Sequence, residues 1–112
     1  MLHAVMDEQS YLTVAHATLS EIEDMLEDVD AEDVDFDRAG DVLTMQFKNG
    51  KKCIVNTQRP TRQIWLAANV RAWHFDWDGA RWVDDKDKST ELLATIANIV
   101  KEQSGVDLAP PR

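Results

Sequence analysis

Residues 56–67 read Asn56-Thr57-Gln58-Arg59-Pro60-Thr61-Arg62-Gln63-Ile64-Trp65-Leu66-Ala67, a polar, Pro-bent loop running into a strand that carries a Trp. Pro60 lacks an N–H and has a fixed φ, so Arg59-Pro60 is a turn and not sheet interior. Alternation then sends Ile64 and Leu66 to one face and Gln63, Trp65 and Ala67 to the other. With Ile64 and Leu66 turned to a core, Trp65 stands on the face that ordinarily meets water. A large aromatic there, beside Asn56, Gln58 and Gln63, reads as a contact surface. The alternative is that a second layer covers it, and the rest of the chain must decide.

Alternation continues on both sides of this segment. Downstream, Trp73, Phe75 and Trp77 alternate with His74 and Asp76, and Asp78-Gly79 turns the chain into Arg81-Trp82-Val83. Upstream, Leu43, Met45 and Phe47 alternate with Val42, Thr44 and Gln46. Asn49-Gly50 supplies the positive-φ pair of a tight hairpin, Lys52 to Asn56 is the returning strand, and a short first strand is expected at Val34-Asp35-Phe36. Helical periodicity flanks the strands. Leu12, Ala15, Leu19, Ile22, Leu26 and Val29 make one apolar stripe, with Asp7 as N-cap. Leu92, Leu93, Ile96, Ile99 and Val100 make a second, capped by Ser89 or Thr90, with Glu91 in the first turn and Gly105 at the end. Val106 and Leu108 tuck a short tail onto the body before Pro110-Pro111.

The chain is thus expected to be a single domain spanning residues 1–112. It comprises a helix over about residues 8–29, a sheet over about 34–84, a helix over about 90–104 and a short C-terminal tail. Short connections imply an antiparallel sheet of five to six strands, and two amphipathic helices packed on one face complete an α+β two-layer sandwich. Helices with single stripes cover only one sheet face. The face that carries Trp65 is therefore expected to be open.

Composition narrows the function. A chain of 112 residues with 44% apolar content is long enough for a real core, and it holds no apolar run near the ~20 residues of a membrane helix. The N-terminus lacks a signal-peptide pattern and is acidic, unlike a mitochondrial transit sequence, so a bacterial-type cytoplasm is the expected location. Cys53 is the only cysteine, which excludes an internal disulfide or a Cys-rich zinc or iron–sulfur site and reads as a buried, inert thiol. Residues 1–37 hold 12 of the 21 acids and no Lys or Arg (net −12), while residues 38–112 hold the other 9 acids and all 12 bases (net +3). Such a field repels nucleic acid and anionic lipid, and favours cations and basic protein surfaces.

Ten of those acids lie between Glu21 and Asp37. Glu23, Glu27 and Asp30 share a helix face by spacing, with Asp24 and Asp28 in the adjacent row. The position is costly, because helix C-terminal turns already carry partial negative charge and like charges at i, i+4 repel. Accumulated local penalties of this kind mark accommodation of function. Paired surface carboxylates with no closed cage suit weak, exchangeable binding of hard cations. Asp33-x-Asp35-x-Asp37 is no calcium loop, since Arg38 stands where a Gly is needed and Thr44 where a Glu is. His3, His16 and His74 share no ligand spacing, and His74 is expected beside Trp65. No nucleophile–base pair or phosphate-cradling loop is visible.

The segment quoted first resembles the signature of the frataxin family, Asn-x-Gln-x-Pro-x-x-Gln-(Ile/Leu/Val)-Trp-(Leu/Met)-Ala, at every fixed position. The resemblance extends over nearly the whole chain, including His74-Phe75-Asp76, Gly79 and Trp82. It departs at Asn69-Val70-Arg71-Ala72, where bacterial members often carry glycines. Membership of the bacterial branch implies an iron-binding regulator or iron donor in iron–sulfur cluster assembly, and not an enzyme. By the same resemblance, Glu23, Asp24, Glu27, Asp28, Asp30, Glu32 and Asp33 match a ridge that binds Fe²⁺ or Fe³⁺ weakly, with other divalent cations able to substitute. That ridge would also dock on the cysteine desulfurase. Asn56, Gln58, Pro60, Trp65 and His74 match a sheet surface facing the iron–sulfur scaffold protein. A monomer is implied, with iron-driven oligomerisation open. Two alternatives stand beside this: a ferroxidase or iron-storage activity, and a metal-independent acidic interaction module.

Overall fold

The computed structural model describes residues 6–110. Helix α1 (Glu8–Glu27) is followed by six strands, β1 (Val34–Ala39), β2 (Val42–Phe47), β3 (Lys52–Gln58), β4 (Gln63–Ala68), β5 (Arg71–Trp77) and β6 (Trp82–Asp84), and then by α2 (Leu92–Ser104). The strands are antiparallel and lie side by side in chain order. Alternate residues Leu43, Met45, Cys53, Val55, Ile64, Leu66 and Phe75 are buried and form one cluster with the apolar stripes of both helices. The helices therefore share one face, and the two-layer sandwich expected from periodicity is the fold.

Local chemistry sets the element ends. Asp7 caps α1, accepting from Ser10 N at 2.7 Å. The helix stops at Glu27, two residues short of the apolar pattern. Val29 N bonds to Leu26 O, while Asp30 Oδ1 accepts from Glu32 N and its carbonyl from Asp33 and Val34. A short Asp side chain offers the backbone this turn as an alternative to another helical turn that would bring acids onto a negative dipole end. Asp30 consequently leaves the helix face that spacing assigned it with Glu23 and Glu27. At the other helix, Glu91 is the N-cap and not a first-turn residue, accepting from Leu93 N and Ala94 N. Ser89 and Thr90 instead bind Asp87.

Two turns differ from their sequence readings. At Asn49-Gly50 only Gly50 has positive φ, and Phe47 pairs with Lys51, so the loop has three residues. The left-handed Gly at its end fits this longer hairpin. The Asn69-Val70 turn closes without glycine, because Asn69 takes φ +56, a region that Asn tolerates. Gly105 ends α2 at φ +76 as read. Of the histidines, His3 lies outside the described residues, as does Pro111 of the tail.

Candidate functional site: an open sheet face and an acidic ridge

Strand register brings Asn56, Trp65 and His74 into one row across β3, β4 and β5, on the face opposite the helices. Trp65 is half-buried and stacked on His74, with ring centroids 4.2 Å apart and planes 16° from parallel. Its indole N–H donates to Gln63 Oε1 at 2.9 Å. The Gln63 amide in turn donates to Asp76 Oδ1 at 3.0 Å and Asp85 Oδ2 at 3.2 Å. Gln63, which alternation grouped with the exposed contact residues, is instead buried and acts as the support of Trp65. Both acceptors are carboxylates, so the amide can present only its N–H₂ to them and its oxygen to the indole. The Trp ring is thereby held in place before any partner arrives. Asn56 and Gln58 are half-buried and Pro60 is exposed. Val42 and Ile54, both more than a third exposed, extend the same face with apolar surface.

The turn leading into this face is pinned from the other layer by a residue outside the apolar stripe read from sequence. Tyr11 of α1 is fully buried, donates its hydroxyl to Gln63 O at 2.6 Å and accepts from Gln58 N at 2.9 Å. Spacing alone contained the signal, since Tyr11 lies four residues before Ala15. Pro60 sits in the first turn of the 3₁₀ segment Arg59–Thr61, where a missing N–H costs nothing. Beside it, Asp41 accepts from His16 Nε2 at 2.7 Å and from Arg59 Nη2 at 3.1 Å. Sequence spacing gave His16 no ligand partner; its partner is Asp41, 25 residues on.

The hydrogen bond from His16, aided by Arg59, holds the Asp41 carboxyl below its usual range. A folded-state pKa below the unfolded one contributes stability that is complete above the ordinary value of 3.8 and is lost as pH falls through the lower folded value. Acidification from about pH 5 to pH 3 should therefore lower the melting temperature of the wild-type chain more than that of Asp41→Asn. Parallel acid titration of the two, followed by circular dichroism, checks this; identical slopes would remove Asp41 from the linkage.

The acidic stretch lies away from this face, on the last turns of α1, the following turn and the edge strand β1. Asp24, Glu27, Asp28, Asp30 and Glu32 are exposed, while Glu23 and Asp33 are half-buried. The ridge is not free of counter-charge as the N-terminal composition implied. Arg38 of β1 reaches α1 and bonds Glu23 Oε1 at 2.7 Å and Ser20 Oγ at 3.1 Å. Glu23 is thus already held, and the outer acids are the more accessible ones. Among the described residues, no three His, Cys, Asp or Glu side chains converge closely enough to enclose a metal ion. Carboxylates spread along a surface can each supply one or two oxygens to a cation that keeps part of its water shell. Cys53 cannot join such a site, because burial raises its thiol pKa to about 12 and it faces the core.

A six-stranded antiparallel sheet backed by two helices, with an acidic α1–β1 edge and a supported Trp on the open face, defines a frataxin-like domain. The family model for the frataxin-like domain matches residues 4–106, and the chain belongs to that family. It is 42% identical over 107 residues to a Paraburkholderia phymatum protein named iron-sulfur cluster assembly protein CyaY, covering 94% of this chain and 100% of that one. A protein of the same name from Paraburkholderia xenovorans is 40% identical over 100 residues, covering 89% and 93% of the two chains. Among solved structures, the frataxin of Psychromonas ingrahamii superimposes with a TM-score of 0.85 at 31% identity, over 92% of this chain and 96% of that one. A trimeric Saccharomyces cerevisiae frataxin, described as complexed with ferrous iron, shares the fold with a TM-score of 0.62 at 22% identity, over 94% and 92%. No helix among the described residues is long and apolar enough to cross a membrane.

Proposed function

We propose that this chain serves iron–sulfur cluster assembly as an iron-binding regulator or iron donor. In this reading it holds Fe²⁺ or Fe³⁺ weakly on Asp24, Glu27, Asp28, Asp30, Glu32 and Asp33, with Glu23 as a less available neighbour. The same ridge docks on a basic surface of the cysteine desulfurase. The face formed by Asn56, Gln58, Pro60, Trp65 and His74 meets the scaffold protein. The observation that carries the reading is the run of five exposed carboxylates on an edge of the fold, in a chain whose relatives are named for this assembly process. Hard oxygen donors bind iron without a cage, so the ion exchanges readily. A scaffold rich in thiolates offers the softer ligands that a nascent cluster prefers, so transfer runs from ridge to scaffold. Work at both partners is compatible, because β1 and β4 are separated by two strands.

An anaerobic Fe²⁺ titration followed by NMR tests the metal site. Amide signals of residues 23–37 are expected to broaden first, at sub-stoichiometric iron, and chelation should restore them. Broadening that begins at His74 or in the tail after Gly105 would refute the ridge.

A further inference from the structure

The β2–β3 and β4–β5 turns lie at one end of the sheet, and α2 passes over that end, tied to it by Asn49 Nδ2 donating to Gln103 Oε1 at 2.8 Å. Between them is an open cleft of about 310 Å³. Phe47, Trp73 and Ile99 supply its apolar floor, and Lys51, Lys52 and Arg71 its rim. In a chain of net charge −9, these three cations form no ion pair with any described carboxylate. Arg71 instead lies over the Trp73 ring, 4.6 Å from its centroid. Glu102 on the α2 wall is the one acid that lines the cleft. An anion there gains charge-assisted bonds from three clustered cations, and an apolar group beside it finds apolar contacts.

The cleft does not close at Arg71. A second one, of about 240 Å³, shares Arg71 and Trp73 and continues along Ala72 and His74. It follows a bare strand edge. Among the described residues, β6 pairs on the β5 side with Phe75–Trp77, and one further bond, Asp85 N to His74 O, ends that ladder, while on its other side Val83 bridges to Glu91. Alternation points the Ala72 backbone outward on the same side as His74, where no described backbone group meets it. An uncovered edge beside pockets that take alternate side chains is the arrangement by which sheets accept extended peptides.

We propose that this groove binds an extended segment of a partner protein in which acidic and apolar residues alternate. Its acids meet Lys51, Lys52 and Arg71, its apolar side chains rest on Phe47 and Trp73, and only its end past Arg71 reaches the edge at Ala72. Asp84, Asp85 and Asp87 outnumber Lys86 along the second cleft, so the segment is acidic only toward Lys51 and Lys52.

The test is an NMR titration with a capped hexapeptide of alternating glutamate and leucine. Saturable shifts are expected at Lys51, Lys52, residues 69–73 and residues 98–103. Lys51→Ala/Lys52→Ala, both exposed and without structural bonds through their ammonium groups, should weaken binding at least about tenfold. Three results would each overturn the proposal. They are no saturable shift up to about 1 mM peptide, equal binding by a lysine–leucine hexapeptide, and the same shifts from free sodium glutamate at equal concentration, which would mark a small-anion site only.

Discussion

Replacing Glu27, Asp28 and Asp30 with lysine is expected to abolish binding to the cysteine desulfurase while leaving the fold intact. Each change moves two units of charge at an exposed position, so the local field reverses sign and meets a basic surface with repulsion. A loss of more than about 100-fold in affinity is expected. The stability effects run the other way for two of the three. Glu27 is the last residue of α1 and Asp28 its C-cap, where the helix dipole is negative. Lysine there is favourable by about 0.3–1 kcal/mol per site. Asp30→Lys loses the bond to Glu32 N, a comparable local cost, so Glu27→Lys alone is the cleaner reporter of stability. That single variant should melt no lower than wild type yet bind the desulfurase more weakly. Calorimetric titration against the desulfurase at rising salt completes the test, because wild-type affinity should fall as the Debye length shortens. Binding that persists in the triple variant, or that ignores salt, would exclude the ridge as the docking surface.

Tyr11→Phe is expected to be the most costly single-atom deletion in the molecule. The ring would still fill its place, so no sizeable cavity opens. What is lost is one hydroxyl that both donates to Gln63 O and accepts from Gln58 N. Leaving a buried acceptor without a partner costs about 1–3 kcal/mol, and leaving the part-buried Gln58 N–H without one adds a smaller penalty. For a domain of this length, a total near 2–4 kcal/mol lowers the melting temperature by roughly 10–20 °C. Gln58 and Gln63 are the paired ends of β3 and β4 that flank the Pro60 turn. They could bond directly only if the strands closed by the width of the missing oxygen. Hydrogen exchange at the Gln58 amide should therefore accelerate along with the loss of stability. A melting temperature within about 2 °C of wild type, with Gln58 still protected, would show that the turn holds without α1.

The Trp65 site shows the same division at closer range. Alternation from Ile64 and Leu66 was enough to put Trp65 on the second face, and two single-stripe helices were enough to leave that face open. The burial of Gln63 at the edge of the indole left no such pattern, because its two carboxylate partners come from β5 and from the chain just after β6. The groove beside α2 was also invisible. Arg71 is 19–20 positions from Lys52 and Lys51 in sequence, and adjacent to them only because both hairpins turn at the same end.

Strands, helices and the open face were thus legible in the chain itself, since each rests on a period of two or 3.6 residues that any short window contains. The signature around Pro60 and Trp65 was likewise local, and sufficed to identify the family. Only tertiary structure could decide that Tyr11 pins that signature, that Arg38 occupies Glu23, that His16 belongs to Asp41 and that α1 ends at Glu27. The first three are polar contacts across 15 to 52 residues, which leave no periodic trace. The helix end turns on a small balance, in which the side chain of Asp30 competes with one more turn of backbone bonds against an unfavourable dipole.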